Sequence, residues 1–165
     1  MAESDIRRRR VALLLFFATM LPLAAGCGKN YIPNTALEDT PENWEIVRFC
    51  ERYRHAVQDM NIGLLLSLAS PRYFDNSGTV TGDDDFDYRG LEQILKERFK
   101  NIESVRYEIK YRDVYEMDGL VMVEYTYTLS FQYRVGEKSQ WANKTADNRL
   151  ELERVEGGFL IVTGM

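Results

Sequence analysis

Histidine and cysteine are nearly absent from this chain: His55 stands alone among 165 residues, and the only thiols are Cys27 and Cys50. One histidine removes the simplest metal-ligand arguments. Helical phase turns His55 to the side of its helix that carries Arg48, Arg52 and Asp59, so the geometry for a Ser-His-Asp or Cys-His mechanism is missing. Cations are the minority, 21 Lys+Arg against 26 Asp+Glu, for a net charge of −5. An acidic surface repels phosphate backbones, which excludes nucleic acid as the expected partner. No apolar run reaches the roughly 20 residues that a lasting transmembrane helix needs. The longest, Val11 to Leu23, is shorter and contains Pro22.

That run has its own meaning. Arg7 to Arg10 precede it, and Leu23-Ala24-Ala25-Gly26-Cys27 ends it. Charge keeps the first end cytoplasmic, the apolar run enters the translocon, and small residues fit a peptidase. The segment resembles a bacterial lipobox, which implies cleavage after Gly26, a diacylglycerol on Cys27 and acylation of the new amine. An ordinary cleaved leader with Cys27 incidental is the alternative. At about 0.8 kcal/mol per buried CH2, two or three chains would hold the protein firmly on a membrane surface. The expected divisions are a signal peptide over 1–26, a lipid-anchored tether over 27–41 and a folded domain over 42–165. Residues 1–26 carry four Arg and two acids, so the remainder stands at −7. Gly28, where an inner-membrane retention signal would place Asp, points to the periplasmic face of the outer membrane in a Gram-negative host. With Cys27 acylated, Cys50 has no disulfide partner and is either a buried small hydrophobe or a reactive thiol.

Gly28 to Thr40 is polar and rich in turn formers, the composition of a linker. Thr40-Pro41-Glu42 then starts a helix whose apolar face is Ile46, Phe49, Cys50, Tyr53, Ala56, Val57 and Met60. Asn61 or Asp59 caps a second, short helix through Leu68 that Pro71 ends. Arg72 to Asp87 reads as irregular. Asp87 caps a third helix burying Leu91, Ile94, Leu95 and Phe99, with Ile102 as its last apolar position.

After Asn101 the apolar period changes to two. Val105, Tyr107, Ile109 and Tyr111 alternate with charge, and Met117-Asp118-Gly119 turns the chain. A strand from Leu120 to Tyr133, one from Asp147 to Arg154 and one from Phe159 to Thr163 complete the pattern. Helices first and hairpin-linked strands later give an α+β order.

That order resembles the nuclear-transport-factor-2-like superfamily over Glu42 to Met165. The resemblance is carried by the first helix through Tyr53 and Val57, the Ser67-Leu68-Ala69-Ser70-Pro71 break, and Tyr73-Phe74-Asp75 after it. Gly90-Leu91 in the third helix, Asn148-Arg149-Leu150-Glu151-Leu152, and Gly158 to Met165 continue it. It implies an α+β cone, three N-terminal helices packed on a curved antiparallel sheet, enclosing a pocket. Homodimers through the sheet are common in the superfamily, and the stripe Tyr107, Tyr111, Tyr125, Tyr127, Phe131 and Tyr133 is core or dimer surface. Isomerases, dehydratases, epoxide hydrolases and polyketide cyclases share the fold with members of no known activity, so activity is not inherited with it.

The resemblance implies pocket positions for Tyr53, Tyr73, Asp75 and Asn148. Asp75 would be a general base raised by apolar surroundings, Tyr53 an oxyanion donor and Asn148 a ligand-orienting amide. Equally, Asp75 caps a turn, Tyr53 is core and Asn148 satisfies a backbone group. Asn76-Ser77-Gly78 departs from the family's Pro-Gly pattern. Asp83-Asp84-Asp85 with Asp87 lacks the spacing of a calcium loop and reads as a solvated loop and cap. No metal or cofactor is expected. The reading is a non-catalytic, lipid-anchored envelope protein holding a small apolar ligand or a protein partner. The alternatives are an isomerase- or cyclase-type enzyme and a purely structural envelope component.

Overall fold

A computed structural model describes residues 29–76 and 85–165. The leader, Cys27, Ser77, Gly78, Asp83 and Asp84 lie outside them. Among the described residues, three helices precede a four-stranded antiparallel sheet. They are α1 (Pro41–Gln58), α2 (Ile62–Leu68) and α3 (Tyr88–Phe99). The sheet, in spatial order, is β3 (Ile102–Met117), β4 (Leu120–Val135), β5 (Lys138–Val155) and β6 (Gly158–Thr163).

Local chemistry sets the helix starts. Thr40 Oγ1 accepts from Asn43 N at 3.1 Å with Pro41 at the first helical position. Asn61, rather than Asp59, caps α2, accepting from Leu64 N at 3.0 Å. Asp87 Oδ1 accepts from Arg89 N and Gly90 N, so this acid is a helix cap. Helix α3 ends at Phe99, and Ile102 already belongs to β3. Asp118 and Gly119, both at positive φ, close the β3–β4 hairpin with the left-handed backbone that a tight turn requires.

Three stretches differ from the sequence expectation. Residues 30–39 fold onto the domain instead of forming a plain linker. Ile32 N donates to Leu37 O at 2.9 Å and Ala36 N to Tyr111 O at 3.2 Å, leaving Ile32 and Leu37 only 2% and 4% exposed. Two apolar residues five apart show no periodicity, yet a turn brings both to one side. Within the segment expected to be irregular, β1 (Phe74–Asp75) pairs with β2 (Phe86–Asp87). Strand β5 starts nine residues before Asp147, because Lys138 to Ala146 pair with Val135 to Tyr127 of β4. That polar stretch is a strand by partnership rather than by its own propensity.

The core lies between the helices and one sheet face. Cys50, Ala56, Leu91, Val123, Tyr125, Leu150, Leu152 and Ile161 are fully buried. Met122 is also buried, on the opposite face of β4 from Val121 and Val123. His55 is exposed, with a ring nitrogen 2.8 Å from an Arg54 guanidinium nitrogen.

Candidate functional site: a cavity between the helices and the sheet

Strands β3, β4 and β5 extend beyond the cover that the helices give them. Strand β6 pairs with β5 only over Glu151–Val155, so the earlier part of β5 has a free edge. The result is an open cavity of about 890 Å3. Val57, Leu65, Leu95, Phe99, Val105, Leu129 and Phe131 supply its apolar wall, and Tyr53, Tyr107 and Tyr127 supply aromatic surface carrying hydroxyls.

Tyr53, Asp75 and Asn148 all border this cavity, so the structure does bring three predicted residues together. Tyr73 sits one layer back. It is 1% exposed and not part of the wall, because its ring packs toward Phe86, 6.0 Å between centroids, with the hydroxyl turned to Asp75.

The bonding of these groups explains the convergence. The Tyr73 hydroxyl donates to Asp75 Oδ2 at 3.0 Å and accepts from Met165 N at 3.2 Å. Gly164 N donates to the same Asp75 oxygen at 3.3 Å. Asn148 Nδ2 donates to Gly164 O and to the Tyr125 hydroxyl, both at 3.0 Å, and Arg98 donates to Met165 O at 3.2 Å. Residues 164–165 are therefore the junction on which β1, α3 and β5 meet. Asp75 and Asn148 satisfy that backbone while they border the cavity.

Burial pushes the Tyr53 and Tyr125 phenols well above their ordinary range, with the neighbouring Tyr107 adding to the effect. Tyr107 is raised by the same cause. All three stay protonated at neutral pH and are electrostatically coupled. The Tyr53 and Tyr107 rings meet edge to face at 6.2 Å, and Tyr107 lies 5.5 Å from Tyr127. The sequence stripe thus divides by depth. Tyr111 and Tyr125 are core, Tyr107 is buried yet borders the cavity, and Tyr127 and Phe131 are cavity wall.

Leu129, Arg98 and Lys144 also border the cavity and were not singled out from the sequence. Arg98 follows Leu91 by seven residues and Leu95 by three, on the inward face of α3. Lys144 alternates with Ala142 and Ala146, a signal visible only once β5 begins at Lys138. Among the described residues, no cluster of His, Cys, Asp or Glu is placed to hold a metal. None of their helices is long and apolar enough to cross a membrane.

No described protein family and no curated relative matches the sequence. Solved structures do match. A conserved protein from Planctomyces limnophilus superposes with a TM-score of 0.61 at 10% identity, over 74% of this chain and 92% of that one. An NTF2-like superfamily protein from Salmonella enterica gives 0.59 at 14%, over 73% and 86%. An NTF2-like family protein from Streptomyces avermitilis gives 0.58 at 10%, over 76% and 95%. Identities this low speak to architecture alone: the chain has the NTF2-like fold, three helices against a curved antiparallel sheet.

Proposed function

We propose that this is a lipid-anchored envelope protein whose domain holds a small, largely apolar molecule and performs no chemistry on it. The cavity is the observation that carries the reading. Its volume of about 890 Å3 falls within the roughly 300–1,000 Å3 usual for ligand sites, and its wall combines hydrocarbon with a few hydroxyls. A purely structural component has no need of such a space. Anchoring rests on the leader, with Cys27 as the acylated residue. In a Gram-negative host Gly28 favours the periplasmic face of the outer membrane.

The test is saturable binding of the neutral dye N-phenyl-1-naphthylamine to the full-length chain carrying Cys27→Ser. Leu129→Trp, which fills the wall, is expected to weaken binding at least about tenfold while the circular dichroism melt stays cooperative. Equal dye binding by both forms would refute the cavity as the site.

A second reading draws on Tyr53 and Asp75 bordering one cavity, which an isomerase or cyclase would need. It supposes that Asp75 abstracts a proton next to a carbonyl and that Tyr53 donates to the resulting oxyanion. The two hydrogen bonds already accepted by Asp75 Oδ2 weigh against it, since they occupy the oxygen that would take the proton. Conversion of a β,γ-unsaturated ketone to its conjugated isomer, abolished by Asp75→Asn, would favour this reading over simple binding.

A further inference from the structure

Six charged side chains border the cavity, and their pairing is uneven. Asp147 is held by Arg112 at 2.9 Å and by the Thr126 hydroxyl at 2.7 Å. It belongs to the opposite sheet face, as its register partner Thr126 does. Glu151 is held by Arg149 at 2.8 Å, which accounts for both. Asp75 accepts from Tyr73 and Gly164. The remaining two are cations, and no Asp or Glu among the described residues forms an ion pair with either. Arg98 is already engaged, donating from α3 to a Met165 main-chain oxygen at 3.2 Å and lying over the Phe86 ring at 5.7 Å. Lys144 projects from β5 with its Nζ 5.9 Å from the Tyr127 ring centroid.

Lys144 is left as the cation of the apolar wall with no hydrogen-bonded partner among the described residues. Lys144 is placed where β4 and β5 pair Leu129 with Lys144 and Phe131 with Ala142. Its ammonium therefore sits beside the apolar surface, in the relation that a fatty chain and its headgroup would occupy. A hydrocarbon chain would cover Leu129, Phe131 and Val105, and its charge would face Lys144.

We propose that the molecule held in this cavity is a single-chain amphiphilic anion, with its headgroup at Lys144. The proposal rests on the cavity reading and adds to it the sign of the ligand's charge. No bond is made or broken. Apolar burial supplies most of the affinity, and the Lys144 ammonium supplies the preference for an anion.

The experiment titrates the full-length Cys27→Ser chain by calorimetry with dodecanoate, dodecanol and dodecyltrimethylammonium, each below its micelle concentration. Dodecanoate is expected to bind about tenfold tighter than dodecanol, and the trimethylammonium amphiphile more weakly than either. Lys144→Gln is expected to bring dodecanoate to within about threefold of dodecanol and to leave dodecanol unchanged. About 0.5 M salt should narrow the same gap in the unsubstituted domain. Dodecyl phosphate in place of dodecanoate tells the two headgroups apart: tighter binding assigns the site to a phosphate monoester, equal binding to anions generally. Equal affinity for dodecanoate and dodecanol would overturn the assignment of charge and leave the cavity reading standing. Failure of all of these amphiphiles and of the neutral dye to bind would overturn both.

Discussion

Asn148 Nδ2 lies 3.0 Å from the Tyr125 hydroxyl and 3.0 Å from Gly164 O, so one amide ties the buried tyrosine cluster to the segment after β6. Tyr125 is fully buried and has no access to water as a substitute partner. Asn148→Leu is expected to cost about 1–3 kcal/mol, the range for leaving buried polar groups unsatisfied. Urea denaturation measures it. A change below about 0.5 kcal/mol, ordinary for an exposed position, would contradict the buried role.

Gly164 is required by space and backbone together. Its φ is +98°, and a Cβ added there would sit 2.0 Å from Arg149 O. The obstacle is main chain of a central strand, which cannot swing aside. Gly164→Ala should therefore lift residues 164–165 off β5, at a cost above about 2 kcal/mol. Hydrogen exchange should show the Gly164 amide, now bonded to Asp75, losing protection along with Met165.

The end of α2 is fastened to β5 by a carboxylate. The buried Ser70 hydroxyl and the Arg72 guanidinium both donate to Glu153, whose side chain is 15% exposed. The Ser70 hydrogen bond, then that of Arg72, holds the Glu153 carboxyl below its usual range. A depressed carboxylate contributes stability that is present above the unfolded-state value near about 4.3 and is lost as pH falls through the folded value. The stability difference between the unsubstituted chain and Glu153→Gln should be full at neutral pH and vanish in acid. Denaturation curves across that interval check the sign. A difference that grows toward low pH would contradict the assignment.

Cys50 is the one thiol in the described domain, 0% exposed, and desolvation pushes it well above its ordinary range. The thiolate is the nucleophile, so the native side chain should be inert. In the Cys27→Ser chain, iodoacetamide should label Cys50 in denaturant and leave it unmodified in buffer. Native labelling at the rate of a free thiol would show that the core opens here.

For the anchor, a fatty-acid analogue supplied to cells should label the natural chain and not Cys27→Ser. Label on the variant would place the acyl group elsewhere.

Much of the architecture follows from short-range rules. Thr40-Pro41, Asn61 and Asp87 cap helices because a side-chain oxygen three residues or fewer from an unpaired amide satisfies it in any context. The alternation through Val105 to Tyr111 and Val121 to Tyr133 marks strands because the pleat has a period of two. The site was legible in part. Tyr53, Asp75 and Asn148 do border one cavity, but the attachment of Asp75 and Asn148 to Gly164 cannot be seen from spacing.

By itself, then, the sequence determined the caps, the turns and the apolar faces, all properties of neighbouring residues. Tertiary structure decided that residues 30–39 join the fold, that Lys138 to Ala146 form a strand, that Tyr73 lies behind the wall and that Arg98 and Lys144 border one space. Each of those depends on a partner far along the chain, supplied only when β4, β5 and the helices come together.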